Sequence, residues 1–170
     1  DLAELLGDVL DLYHQSRATI SVTSDSALPP VLADANQLRQ VLHNVLTNAQ
    51  DALGENADPR IAISVARDAG RLRLTVRDNG PGFPPQILSR AFEPYVTTKA
   101  KGTGLGLAIV KKIVDDHGGE IRLASEGGGE VRIWLPLADP NAMSAEPAEN
   151  AVAGSGHGDM SAAAAAQKGA

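Results

Sequence analysis

The stretch from Arg60 to Gly80, "RIAISVARDAGRLRLTVRDNG", constrains the fold more than any other part of this sequence. Apolar and polar residues alternate with period two on both sides of Asp68-Ala69-Gly70. That pattern predicts two strands joined by a tight β-hairpin. A pair of this kind has one apolar face, and the face needs a cover.

Helical patterns on either side of the hairpin supply one. Leu38, Val41, Leu42, Val45, Leu46, Ala49 and Leu53 recur at helical spacing, with Asp34 as N-cap and Gly54 as the stop. Leu2, Leu5, Leu6, Val9, Leu10 and Tyr13 predict a first amphipathic helix over residues 2–13, whose apolar face reads as core. Another helix is expected from about Leu105 to His117, with Gly118 as its C-cap. "ATISVTS" reads as a short β-branched strand closed by Pro29 and Pro30. "EIRLASEGGGEVRIWLPL" reads as a second hairpin around Gly127 to Gly129, with Trp134 alternating with Val131, Ile133 and Leu135 as a packing residue. The expected fold is α/β: a mixed or antiparallel sheet with helices on one face, over residues 1–138. Between Gly80 and Thr103 the periodicity fails. Past Ala138 the chain turns to Ala, Gly, Ser and Pro, so residues 139–170 are expected to be a disordered tail that cannot offset chain entropy by burial.

Composition excludes several functions. The 170 residues fit one domain, and a formal charge of −6 leaves no basic surplus for nucleic acid. Without cysteine there is no disulfide framework, thiolate metal site or cysteine nucleophile. No run of about eighteen apolar residues appears, nor a signal peptide, so a cytoplasmic domain is expected. The first residue is Asp1 rather than methionine, which suggests a piece of something longer.

Three short segments carry the chemistry. In "NQLRQVLHNVLTNAQDAL", Asn44, Asn48 and Asp51 share one helical stripe beside the apolar one. The stripe could be plain polar edge. Alternatively, an Asn carbonyl oxygen is a hard neutral ligand suited to Mg²⁺ that takes its remaining ligands from water and nucleotide phosphates. In "VRDNGPGF", Asp78 ends a strand and a turn follows. A strand-end carboxylate beside Gly80 and Gly82 could accept a hydrogen bond from the exocyclic amine of adenine. Guanine presents a carbonyl there, so ATP would be favoured over GTP. In "KGTGLGLAIVKKIV", Gly102, Gly104 and Gly106 precede a helix, with Lys99 and Lys101 upstream. The spacing fits neither a P-loop nor the dinucleotide fingerprint, in which a third glycine would replace Leu107. Exposed backbone N–H groups at a helix start still favour phosphate, so the glycines read as a cradle and the residues before them as a lid.

Taken in order, the Asn-bearing helix, "DNGPGF", "FEPYVTTK" and "GTGLGL" resemble the N, G1, F and G2 boxes of bacterial sensor histidine kinases. The resemblance covers residues 1–137, and "AFEPYVTTK" with "GTGLGLAIVKKIVDDHGGEI" is most similar to the nitrogen-regulation branch. It implies the Bergerat ATP-binding fold shared with gyrase, the heat-shock chaperones and the mismatch-repair ATPases. That fold is a two-layer α/β sandwich: a mixed, mostly antiparallel sheet of about five strands, about three helices on one face, and an ATP lid. The resemblance implies ATP and Mg²⁺ as cofactors, Asn48 as principal Mg²⁺ ligand with Asn44 beside it, and Asp78 on the adenine amine with Gly80 and Gly82 shaping the pocket. Phe92 would anchor the lid, Lys99 would contact phosphate, and Gly102, Gly104 and Gly106 would wrap the phosphates with Thr103 as an extra donor. Asp51, Thr98, Leu105 and Leu107 complete the implied nucleotide-contacting set.

Two departures refine this. Hydrolysing relatives carry a water-activating glutamate four residues before the metal asparagine, where this chain has Asn44, which cannot take a proton at neutral pH. Many of the kinases carry an acid where this chain has Thr47. The first favours phosphoryl transfer over hydrolysis; the second weakens the case for a built-in general base and leaves that task to the partner domain. None of His14, His43, His117 and His157 is followed by an acidic residue, and His117 reads as a helix-end cap. The acceptor histidine is therefore expected upstream, on a helical dimerisation domain of the same parent kinase. Other implied properties are a response regulator downstream, a monomeric fragment of a homodimeric parent, and a parent at the inner membrane with this domain on the cytoplasmic side. The competing readings are an ATPase of the chaperone or topoisomerase type, a nucleotide-binding module without transfer activity, and an anti-sigma type serine kinase.

Overall fold

A computed structural model of the chain describes residues 2–25, 28, 30–97 and 102–138. The expected tail, with His157, lies outside these residues.

The elements follow the sequence patterns closely. Helix α1 spans Leu2–Asp11, β1 Thr19–Ser24, α2 Ala35–Leu53, β2 Arg60–Asp68 and β3 Arg71–Asp78. After them come a single turn α3 at Pro85–Leu88, α4 at Gly106–Asp116, β4 at Glu120–Ala124 and β5 at Glu130–Pro136. Helix α1 stops two residues short of the expected Tyr13, and α3 had no periodic signal because one turn is too short to show a stripe. Asp34 caps α2 as expected: its side chain accepts from the Gln37 N–H at 2.8 Å. At the far end of α4 the capping residue is His117, and Gly118 follows at φ +65°, a left-handed conformation that favours glycine.

The sheet runs in the order β1-β2-β3-β5-β4. Only β1 and β2 are parallel; the other three pairs are antiparallel, so the sheet is mixed. Register places Val65 opposite Leu74, Leu74 opposite Ile133, and Ile133 opposite Ile121, one apolar row crossing four strands. These side chains are buried in one core with Leu5, Leu6 and Val9 of α1, the stripe of α2, and Val110, Ile113 and Val114 of α4. The helices thus cover one face of the sheet, and the apolar face of α1 is core.

Trp134 is a buried packing residue, as expected. It does not share a face with Val131, Ile133 and Leu135, because its even position points it to the side away from the helices. There it is nonetheless buried, roofed by the guanidiniums of Arg71 and Arg122 at 5.8 and 5.4 Å from the ring centroid. Its indole N–H donates to Asp68 Oδ2 at 2.8 Å, and Arg73 donates to the same oxygen at 3.1 Å. The Trp134 hydrogen bond first, and then the charges of Arg73 and Arg71, hold the Asp68 carboxyl below its ordinary value of 3.8.

Because that pKa is lowered in the folded chain, the contribution of Asp68 is complete above the ordinary carboxylate range and is lost as pH falls through the folded value, below 3.8. Denaturant titrations at descending pH should show this loss on the acid side. Asp68→Asn should flatten that part of the profile and shift the emission of Trp134, the single tryptophan of the chain.

Candidate functional site

The candidate site is built on one stripe of α2. Asn44, Asn48 and Ala52 lie four residues apart, so successive turns of the helix present them on one side. At the Asn44–Asn48 level, α4 begins. A Cβ built on Gly106 would stand 3.5 Å from Asn48 Nδ2 and 3.9 Å from both Asn44 Oδ1 and Asn48 Oδ1. At the Ala52 level stands the turn after β3: a Cβ on Gly80 would come within 2.8 Å of the Ala52 carbonyl oxygen and 2.9 Å of Asp78 Oδ1. No side chain fits at Gly80. The two glycine motifs therefore meet the same helix about 12 Å apart, measured from Asn44 to Ala52 at 1.5 Å per residue.

Asp78 ends β3 with a relative exposure of 7%, the one buried charged residue among those described. Its Oδ1 accepts from the backbone N–H groups of Gly80 at 2.8 Å and Gly129 at 3.1 Å. Its own N–H donates to the Gly129 carbonyl at 2.9 Å. Among the described residues no donor reaches Oδ2, which leaves that oxygen as an acceptor for a ligand. A Cβ on Gly129 would fall 2.5 Å from Oδ2 and 3.4 Å from the Phe83 ring. Phe83 in turn is held by Ser125, whose hydroxyl accepts from the Phe83 N–H at 2.8 Å.

The Gly127–Gly129 turn thus belongs to the Asp78 pocket, a role beyond closing a hairpin. A run of three glycines where a turn needs one or two was the available signal. Asn79 is structural: its Oδ1 accepts from Arg60 N–H and its Nδ2 donates to the Asp58 carbonyl, both at 2.8 Å. Gly82 needs its glycine because φ is +78°.

The asparagines are half-buried. The Nδ2 of Asn44 is the one buried side-chain nitrogen or oxygen among the described residues without a hydrogen-bond partner. Such a group is rare and calls for a ligand or ordered water. An amide N–H suits a phosphate oxygen, and the two Oδ1 atoms near Gly106 are hard ligands of the kind Mg²⁺ accepts. The residues present therefore fit a metal–phosphate group. No cluster of three or more His, Asp or Glu that could hold an ion alone occurs among the described residues, so any cation here would draw on amide oxygens and on the ligand itself. Asp51 lies exposed on α2, less than one turn beyond Asn48.

Beyond Phe92, which packs against the core, the chain enters the expected lid. Tyr95 has φ +66° and donates its N–H to the Gly104 carbonyl at 2.9 Å. Gly104 has φ +67°, and a Cβ there would sit 2.5 Å from the Tyr95 carbonyl carbon. Thr103 is exposed and its hydroxyl accepts from the Leu105 N–H at 3.4 Å, while Gly102, Leu105 and Leu107 are half-buried. Thr98, Lys99 and Lys101, read as phosphate-side residues, lie outside the described residues.

Residues 33–139 match the family model described as histidine kinase-, DNA gyrase B-, and HSP90-like ATPase. A sensory histidine kinase/phosphatase NtrB of Rhizobium meliloti (strain 1021) is 43% identical over 124 residues, 65% of this chain and 32% of that protein. A sensor histidine kinase ZraS of Escherichia coli O157:H7 is 38% identical over 143 residues, 81% of this chain and 31% of that protein. The chain thus spans about a third of the length of these curated relatives. Among solved structures, the catalytic domain of histidine kinase ThkA superposes with a TM-score of 0.72 at 34% identity, over 80% of this chain and 92% of that one. Full-length ShkA in complex with AMPPNP gives 0.71 at 34% identity, over 81% of this chain and 30% of that one.

Asp78→Ala should strip Gly80 and Gly129 of their shared acceptor and lower unfolding free energy by about 2–4 kcal/mol in urea titrations. Asp78→Asn keeps an acceptor oxygen and should cost less than half of that. Equal losses would place the cost elsewhere than in these two hydrogen bonds.

Proposed function

We infer that this chain, which belongs to the histidine kinase-, DNA gyrase B- and HSP90-like ATPase family, binds Mg²⁺-ATP and passes the γ-phosphoryl group to a histidine on a separate helical domain. It corresponds to the catalytic domain of sensor histidine kinases. The single observation that carries the ATP reading is the buried Asp78, pinned through Oδ1 by two backbone N–H groups with Oδ2 left for an incoming donor. The AMPPNP bound to ShkA, a neighbour in fold, supports the same ligand class.

In this reading Asp78 Oδ2 accepts the adenine amine, and Gly80 and Gly129 let the purine approach where a side chain would collide. Asn48 Oδ1 would serve as a Mg²⁺ ligand, and Asn44 stands beside it with its unpaired N–H available to a phosphate oxygen. Gly102, Gly104 and Gly106 offer backbone N–H groups at the start of α4, and Lys99 adds cationic charge. When bound, Mg²⁺ offsets the charge that builds on the phosphates during transfer. The chain's own residues position and stabilise; they do no covalent work.

Neutral Asn44 and Thr47 leave no proton acceptor beside the phosphates, which protects ATP from water until a histidine nitrogen arrives. The described histidines are otherwise engaged. His14 contacts the Asp11 carbonyl, His43 meets the Tyr13 hydroxyl at 2.8 Å, and His117 uses both ring nitrogens. The phosphoacceptor therefore belongs to the helical domain of the parent, a response regulator is the onward partner, and the supply of ATP places the domain in the cytoplasm. No described helix is long and apolar enough to cross a membrane.

Calorimetry should show ATP binding that strengthens with Mg²⁺ and exceeds GTP binding by about 10²-fold or more, since guanine sets a carbonyl against the carboxylate. Asp78→Asn should weaken ATP at least about tenfold, and Asn48→Ala should abolish the Mg²⁺ enhancement. Equal binding of the two nucleotides, or none, would sink the reading. Steady ATP turnover by the chain alone would favour a hydrolase.

A further inference from the structure

We propose that His117 is a positioning residue for the nucleotide site. It ties the end of α4 to the start of α2, and thereby sets where the glycine cradle stands against Asn44 and Asn48. The inference rests on the nucleotide reading above and deepens it.

His117 closes α4 as its C-cap. Its Nδ1 lies 2.7 Å from the Ile113 carbonyl, and its Nε2 lies 3.0 Å from the backbone nitrogen of Asp34. One form of the ring satisfies both: Nδ1 carries the hydrogen and donates, and the Nε2 lone pair accepts from the Asp34 N–H. Asp34 is the N-cap of α2, and the N–H of an N-cap residue commonly goes to a Glu or Gln side chain three residues on. Gln37 occupies that position, yet the acceptor is supplied by a different helix. The start of α2 is therefore indexed to the end of α4.

The two helices run antiparallel, packed through the shared core, with two landmarks at opposite ends of their contact. One is Gly106 against Asn44 and Asn48, and the other is His117 against Asp34. Asp34 and Asn44 are ten residues apart and Gly106 and His117 eleven, about 15 and 16 Å along their helices at 1.5 Å per residue. The shared core holds the two helices together, and the His117–Asp34 hydrogen bond fixes their relative position at the end remote from Gly106.

The anchor is itself held. Gly119 passes so close to β5 that an added Cβ would lie 2.5 Å from the Trp134 carbonyl oxygen and 2.9 Å from Val114 Cγ1. Gly118 and Gly119 return their N–H groups to Asp115 and Val114 carbonyls, both at 2.9 Å. His117 thus transmits the position of the sheet to the N-cap of α2. Misplacing a binding group by a fraction of an ångström to 1 Å is costly to a site that works by positioning.

The test is calorimetric binding of Mg²⁺-ATP to the wild-type chain, His117→Phe and His117→Gln, with unfolding and amide hydrogen exchange measured alongside. Phe keeps a ring without donor or acceptor, whereas Gln carries one of each, as neutral imidazole does. His117→Phe should weaken ATP about fivefold, the value of one hydrogen bond. His117→Gln should stay within about twofold of wild type. In the wild-type chain, ATP should slow exchange of the Asp34 amide, because coupling between two places is reciprocal. Unchanged Asp34 exchange, equal weakening by both variants, or a fall in stability without loss of affinity would each overturn the proposal. ATP binding indifferent to His117 sinks this inference alone. No ATP binding by the wild-type chain sinks the nucleotide reading and this one with it.

Discussion

Everything in this domain hangs on how α2 lies on the sheet. Seven of its side chains, from Leu38 to Leu53, are buried, and each large one contributes about 1.5–3 kcal/mol on leaving water. That burial fixes the rotation of the helix about its own axis. Once the rotation is fixed, the stripe bearing Asn44, Asn48 and Ala52 has no freedom: it faces Gly106 and Gly80. Stability and binding therefore draw on adjacent stripes of one helix. A substitution that rolled α2 to improve the core would carry both asparagines out of register with Gly106.

How much of this could be read from the residues depended on the range of the interaction involved. Helix α2, its cap at Asp34 and the Arg60–Asp78 hairpin were legible, because periodicity and capping are local and each repeats its signal several times. The asparagine stripe and the Asp78 turn were legible for the same reason. The part played by Gly127–Gly129 was not. It depends on β5 pairing with β3, which brings Gly129 against Asp78 across fifty-one residues of sequence. Trp134 was legible as a packing residue, but what it packs against was not: the pairing partners Arg73 and Glu120 and nearby Arg71 show why an indole is buried on the face away from the helices. The single turn at Pro85–Leu88 left no periodic trace at all.

The chemistry inferred for the site is one of restraint. The groups described beside Gly106 are amides and backbone N–H groups, which hold and stabilise charge. The carboxylate that is deeply placed, Asp78, is engaged by backbone donors at the opposite end of the α2 stripe. Under the proposed function, the amides and N–H groups would hold ATP without supplying a proton acceptor of their own. That division of labour accords with a chain that spans about a third of its curated relatives.

The clasp between Tyr95 and Gly104 has a consequence for how such domains can diversify. Two backbone positions with φ of +66° and +67° face each other, and Gly104 has no room for even a methyl group. The two ends of the intervening sequence are thus held together at Tyr95 and Gly104. Lengthening a loop whose ends are already held together costs little, about 0.6 kcal/mol for each doubling. Insertions and deletions should therefore be tolerated between the two ends of the clasp so long as Gly104 is kept.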